Sequence, residues 1–111
     1  GTVDGHVFVD KNGNGLYDEG EGVGGATVEL SRMYSGFLDT RQSDQGGYFI
    51  FAAVVPSNDY RLRVAVLPSG YELVDPTFWA FDLAAGQTRT IDFEVRHKIS
   101  YDVFLPLMLK P

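Results

Sequence analysis

The stretch Asp10-Lys11-Asn12-Gly13-Asn14-Gly15-Leu16-Tyr17-Asp18-Glu19-Gly20-Glu21 restricts this chain more than any other. It satisfies D-x-[DN]-x-[DN]-G-x5-E at every fixed position. Asp10, Asn12 and Asn14 hold loop positions one, three and five, so alternate side chains can point at one centre. Gly15 at position six permits a sharp turn. Leu16 at seven offers its backbone carbonyl, Asp18 at nine can bind directly or through water, and Glu21 at twelve can close the site with two oxygens. That donor set suits Ca2+, a hard cation that takes roughly six to eight oxygens at about 2.3–2.6 Å. The charges agree. Asp10, Asp18, Glu19 and Glu21 are four carboxylates in twelve residues, with Lys11 as the local cation. Two such charges about 5 Å apart, at an effective dielectric near 20, repel by roughly 3 kcal/mol before screening. A bound dication turns that repulsion into attraction. The plainer alternative is a solvated Asn-Gly turn with acidic flanks.

The flanks decide the type of loop. An EF-hand needs a helix on each side. Here His6-Val7-Phe8-Val9 reads as a strand, and Gly20, Gly22, Gly24 and Gly25 follow, each costing a helix about 1 kcal/mol. Ala26-Thr27-Val28-Glu29-Leu30-Ser31 then alternates with period two. The expectation is an EF-hand-like loop that joins two β-strands.

These residues carry a family resemblance. Val7-Phe8-Val9-Asp10, Asn12, Asn14-Gly15, Asp18, Gly20-Glu21, Val23, Gly25, Val28 and Leu30 together resemble the SdrD B-like domains of bacterial surface adhesins, relatives of the Cna B-type repeats. Ser43-Asp44-Gln45-Gly46-Gly47-Tyr48-Phe49-Ile50-Phe51 is similar to the family's T-D-x-x-G-x-Y-x-F. Tyr60-Arg61-Leu62-Arg63-Val64 is similar to its next strand, with Asp59 where Gly is usual. The resemblance spans residues 5–96 and implies a prealbumin-like Greek-key β-sandwich. Wider Cna B relatives often join a first-strand Lys to a last-strand Asn or Asp. Here Lys11 lies inside the loop, Lys98 and Lys110 lie near the end, and no Asn follows Asn58, which leaves Asp92 and Asp102 as partners. Such a bond is not expected.

Pattern alone also favours an all-β chain. Strands are expected at 5–10, 26–34, 37–43, 48–52 and 60–66, with two short ones between Tyr71 and Leu83 split at Asp75-Pro76. The run 48–52 reads as buried on both faces. Tyr60, Leu62, Val64 and Val66 read as the inner face of the next strand. A last strand alternates Ile91, Phe93 and Val95 with polar residues. No stretch keeps a helical period over ten residues. About seven short strands with turn signals between them make a β-sandwich. Residues 1–97 are read as the sandwich, and 98–111 as an apolar tail containing Phe104-Leu105-Pro106-Leu107-Met108-Leu109. That tail reads as an extra edge strand, a strand donated to a neighbour, or a disordered segment; Pro106 bars it from a sheet centre.

A formal net charge of −6 argues against nucleic acid and anionic membrane as partners. No apolar run reaches the roughly 18–20 residues of a membrane span. Cysteine is absent, so a secreted domain would need another staple, and calcium can be one. No nucleophile elbow, phosphate loop or paired-histidine motif occurs. His6 and His97 read as ordinary strand residues, and Asp82 with Asp92 as a chance carboxylate pair. The expectation is a non-catalytic, calcium-stabilised spacer module of a larger bacterial cell-surface or secreted protein. Its partners would be neighbouring domains, with a host or matrix protein or a glycan beyond them. Its ligands would be Asp10, Asn12, Asn14, Leu16, Asp18 and Glu21, with Asp4, Glu19 and Asp44 as outer or second-site candidates. The rival is a carbohydrate- or protein-binding module that uses Tyr71, Phe78, Trp79 and Phe81. Phe78 and Trp79 point to opposite faces of an extended segment, so one of them is expected in the core.

Overall fold

Strand β1 (Thr2–Val9) shows how period-two alternation becomes architecture. Val3 and Val7 point inward and are fully buried, while Asp4, His6 and Phe8 lie on the other face. A computed structural model describes residues 1–36, 38–74 and 78–98. The apolar tail beyond Lys98 and the break at Asp75-Pro76 lie outside those residues. The remaining strands are β2 (Thr27–Arg32), β3 (Leu38–Gln42), β4 (Tyr48–Phe51), β5 (Ser57–Val66), β6 (Tyr71–Leu73), β7 (Trp79–Leu83), β8 (Thr88–Thr90) and β9 (Phe93–His97). The described residues contain no helix.

The strands form two sheets. The first has the order β4-β1-β9-β6, with β8 also paired to β1; the second runs β3-β2-β5-β7. The chain crosses repeatedly between them, which makes a Greek-key sandwich. Inner-face residues from both sheets meet in one core, including Val28 and Leu30 from β2, Phe49 and Phe51 from β4, Tyr60 and Leu62 from β5, and Phe93 and Val95 from β9. Burying side chains of this size contributes about 1.5–3 kcal/mol each, which is what holds the sandwich in the absence of a disulfide.

Strand β1 is antiparallel to β4 but parallel to β8 and β9. Thr2 pairs with Thr88 at one end, and Val9 pairs with Val95 near the other. The chain therefore enters the sandwich at one pole and leaves β9 at the opposite pole.

Several expectations change. Nine strands are present among the described residues, where about seven are expected. The strand expected at 60–66 starts earlier, at Ser57. The last amphipathic run is split. Ile91 donates its N–H to the Asp4 carbonyl at 2.8 Å, and the Asp92 carboxylate takes the His6 N–H at 2.8 Å, so β1 changes partner from β8 to β9 across residues 91–92. Gly5 makes that kink possible: a Cβ there would sit 1.8 Å from the Ile91 carbonyl oxygen. In β4 only Phe49 and Phe51 are buried, and Ile50 faces outward. Val66 is exposed at the end of β5.

One polar cluster fixes the start of β5. Asp59 accepts hydrogen bonds from the Ser57 hydroxyl, from Arg32 Nε at 2.9 Å and from the Tyr34 N–H. The Ser57 bond and then the Arg32 bond lower its pKa from 3.8 to about 2. A carboxylate held this way stabilises the fold fully above its unfolded-state value and loses that contribution as pH falls through its folded value. The stability of the natural chain relative to Asp59→Asn should therefore decline between about pH 4 and pH 2 and stay flat above pH 5, as chemical denaturation across that range would measure.

Candidate metal-binding loop

The loop begins where β1 runs out of ladder. Beyond Val9 the chain turns back, and residues 21–23 return along β1. Val9 N donates to the Glu21 carbonyl at 3.0 Å, Val23 N donates to the Val7 carbonyl at 2.7 Å, and Phe8 bridges to Gly22. The loop thereby lies over the outer face of the first sheet as a third layer. Phe8 faces away from the sandwich core yet is only 3% exposed, because the loop covers it. Tyr17 provides much of that cover. Its ring stacks on His6 at 3.7 Å and 10°, meets Phe8 edge-on at 6.1 Å, and its hydroxyl donates to the Gly46 carbonyl at 3.3 Å.

The other side of the loop is polar and gathers four of the six expected ligands. Asp10 Oδ1 accepts from the Gly13 and Asn14 N–H groups, and Oδ2 from Gly15 N at 2.7 Å. Asn14 Oδ1 accepts from Leu16 N. Asn12 and Asn14 both donate their amide NH2 to Asp18 Oδ2, at 2.8 and 2.7 Å. Gly15 has a φ of 76°, the left-handed turn its position demands. Leu16 sits at the apex with its side chain 67% exposed.

Glu21 stands at the foot of the loop and is 4% exposed. Its two oxygens take one N–H each, from Asp18 at 2.8 Å and from Lys11 at 2.7 Å. Lys11 Nζ is spent on the Gly20 carbonyl at 3.1 Å. The five ion pairs among the described residues lie elsewhere. Among the described residues, no three His, Cys, Asp or Glu side chains gather as a metal-holding group. The loop's donors are instead a mixture of Asp10, Asp18 and Glu21 carboxylates with Asn12 and Asn14 amide oxygens. That all-oxygen set fits a hard cation and does not fit a soft transition metal. The second-site candidates divide. Asp44 Oδ1 accepts from Gly46 N and Tyr48 N in its own turn, and Asp4 accepts from the Tyr48 and Thr90 hydroxyls. Neither reaches into the loop by those bonds. Burial and the hydrogen bond to Asp4 raise the Tyr48 pKa.

The loop also abuts the β3–β4 turn. A Cβ on Gly22 would lie 1.9 Å from the Gly46 carbonyl oxygen, and one on Gly47 would lie 2.3 Å from the Val7 carbonyl oxygen. Ser43 locks the same corner, accepting from Ala26 N at 3.0 Å and donating to the Val23 carbonyl at 2.7 Å while buried. The roles of Tyr17, His6 and Ser43 escaped the sequence reading. Tyr17 alone left a signal, as an aromatic in an otherwise polar loop.

The SdrD B-like domain family matches residues 1–98. The chain belongs to the SdrD B-like domain family. Its members are a structural, non-catalytic domain type, and they occur in bacterial surface proteins. Within the curated relatives, the chain is 33% identical over 70 residues to Colossin-B of Dictyostelium discoideum, a stretch covering 62% of this chain and 2% of that protein. Among solved structures, the Bacillus anthracis TIE protein matches with a TM-score of 0.69 at 16% identity, over 87% of this chain and 16% of that one. That likeness supports the sandwich fold. In both proteins the matching stretch is a small part of a much longer chain.

The aromatic set behind the rival reading does not form one shared platform among the described residues. Tyr71 packs on His97 at 4.8 Å and Phe81 stacks on Tyr60 at 5.7 Å. Phe78 and Trp79 are 42% and 41% exposed, so neither is the core residue expected of the pair.

Two substitutions separate the apolar and steric parts of this SdrD B-like loop. Tyr17→Ala should cost about 1–2 kcal/mol, from the lost ring contacts and the uncovering of Phe8. Gly22→Ala should cost more, on the order of 3 kcal/mol, because backbone rather than a flexible side chain must move. Urea midpoints at constant m-value would measure both.

Proposed function

We propose that this chain is a calcium-stabilised spacer module, occupying residues 1–97, within a larger cell-surface or secreted protein. The observation that carries the reading is the parallel pairing of β1 with β9. Chain entry and exit at opposite poles let such modules be strung end to end. At about 3.3 Å per strand residue each adds roughly 30 Å of length. An antiparallel first and last strand would bring the ends together and make a poor stalk. The partners of such a unit are the domains before and after it.

Calcium has a defined task in this reading. The carboxylates of the loop repel one another by about 3 kcal/mol for a close pair. Covering Phe8 and Tyr17 returns about as much. Closure of the loop is therefore poised, and a dication held by Asp10, Asn12, Asn14, Asp18 and Glu21, with the Leu16 carbonyl, decides it. When bound, the cation supplies charge neutralisation. The chain's own residues do the rest: Gly15 sets the turn, Tyr17 seats the loop on His6 and Phe8, and Glu21 anchors its foot. Extracellular calcium modules work at affinities of about 10⁻⁴–10⁻³ M, which suits a surface protein.

Thermal unfolding in EDTA and in calcium tests this. Saturation at about a hundred times the dissociation constant adds roughly 2.7 kcal/mol, on the order of a 10–20 °C rise for a domain of this size. The rise should be absent with magnesium and abolished in Asp10→Ala. An equal rise in Asp10→Ala would sink the assignment of the loop as the site.

A further inference from the structure

Two of the chain's three asparagines precede glycine, as Asn12-Gly13 and Asn14-Gly15, and both pairs lie on the polar side of the loop. Asn-Gly is the step at which a peptide chain most readily attacks its own side chain, because the second residue has no Cβ to hinder its nitrogen. Both glycines face open space: a Cβ on Gly13 or Gly15 would meet nothing within 4 Å. Residues 11–16 are exposed, so water reaches the reacting atoms.

We propose that Asn12 and Asn14 are a latent deamidation site, gated by closure of the loop. Closed, the loop keeps both side chains as amides; opened, it lets them convert to aspartate and isoaspartate. The only co-reactant is water. The Gly13 nitrogen attacks Cγ of Asn12, its proton leaves with the side-chain nitrogen as ammonia, and a cyclic imide forms. Water then opens the ring at either carbonyl. Breaking the bond from Cγ to nitrogen leaves aspartate, and breaking the bond from the main-chain carbonyl carbon to nitrogen leaves isoaspartate. Asn14 and Gly15 follow the same course.

The gate is the proton on the attacking nitrogen. Gly13 N–H donates to Asp10 Oδ1 at 3.0 Å and Gly15 N–H to Oδ2 at 2.7 Å, so one carboxylate holds both. A nitrogen becomes a nucleophile only as it loses that proton, and the negative charge then left on it would face Asp10 at bonding distance. The carboxamides are held as well. Both NH2 groups donate to Asp18 Oδ2, and the Asn12 and Asn14 Oδ1 atoms accept from the Asn14 and Leu16 N–H groups. Those last two bonds act in the opposite sense, since a donor on the amide oxygen steadies the oxyanion of the attack. The proton decides, because the donor helps only once the nitrogen has begun to attack. The same local opening that lets an amide exchange its proton therefore lets it react.

The products change the loop. Aspartate adds a carboxylate at loop position three or five. Isoaspartate lengthens the main chain by one carbon and shifts Asp18 and Glu21 relative to Asp10, so the donor spacing is lost. A loop that has opened is thus marked permanently, and loss of the cation becomes a one-way change. That last step rests on the calcium reading; the gate itself rests on the hydrogen bonds.

The test incubates the 111-residue chain at neutral pH in millimolar calcium, in EDTA, and unfolded in guanidinium chloride. Peptide mapping by mass spectrometry reads conversion at Asn12 and Asn14 from the mass gain of amide to acid, with Asn58, followed by Asp59, as the reference for an ordinary asparagine. The folded chain in calcium should convert at both sites about tenfold or more slowly than the unfolded chain. Asp10→Ala, which removes the acceptor of both N–H groups, should convert near the unfolded rate while circular dichroism shows it folded; the comparison within the natural chain stands without it. Equal rates in the folded and unfolded natural chain would overturn the proposal. A faster folded rate would overturn it too, and would make the loop a promoter of its own conversion, as would full protection in folded Asp10→Ala count against the gate. Slow and equal rates in EDTA and calcium would uphold the gate and count against the calcium reading, so the two fail separately.

Discussion

The pairing of β1 on both of its edges is the constraint on which the rest depends. One edge takes β4 in antiparallel register, and the other takes β8 and then β9 in parallel. Its inner face supplies Val3 and Val7 to the core, and its outer face carries Asp4, His6 and Phe8 beneath the loop and the β4 turn. Parallel pairing cannot be made by a hairpin, so the whole intervening chain must wind through both sheets before β9 can dock. That single requirement fixes the crossed topology and the opposite poles together.

The loop follows from the same constraint. β1 ends at the pole where the chain later leaves, so the loop after Val9 must turn back over its own strand. It does so with one apolar side, through Tyr17, and one polar side, through Asp10, Asn12, Asn14 and Asp18. The polar side closes on itself by amide-to-carboxylate and backbone-to-carboxylate hydrogen bonds. The buried Glu21 has two N–H donors, and it takes part in none of the five ion pairs among the described residues. Carboxylates confined this way are a standing electrostatic cost, which the proposed cation would relieve.

Much of this was legible in the sequence, for physical reasons that differ by element. The inward sets Val28-Leu30 and Tyr60-Leu62 were readable because period two survives wherever one face is buried. The loop boundaries were readable because a fixed spacing of oxygen donors leaves little freedom. The family resemblance supplied the Greek-key order, which no periodicity contains. What escaped were features set by distant pairing. The 91–92 kink exists because β1 changes partners there, and neither Ile91 nor Asp92 signals it alone. The outward turn of Ile50 depends on which face β4 presents, and four apolar residues in a row do not say. Trp79 opens β7, the last strand of the second sheet among the described residues, and Phe78 just precedes it; that sheet order is not written in the local sequence. Tyr17 was visible as a residue but not as a clamp, since its partner His6 lies on the strand before the loop.

Amide hydrogen exchange, residue by residue, with and without millimolar calcium, addresses the central claim most directly: that a cation holds the loop against β1. Exchange reports local opening free energies. The account gives slowing of about tenfold or more, or roughly 1.4 kcal/mol, at the Lys11 and Gly15 amides, with Val9 and Val23 following and Leu62 in the core changing only with global stability. Unchanged rates at Lys11 and Gly15 at saturating calcium would contradict it and leave the loop as a self-sufficient hydrogen-bonded turn.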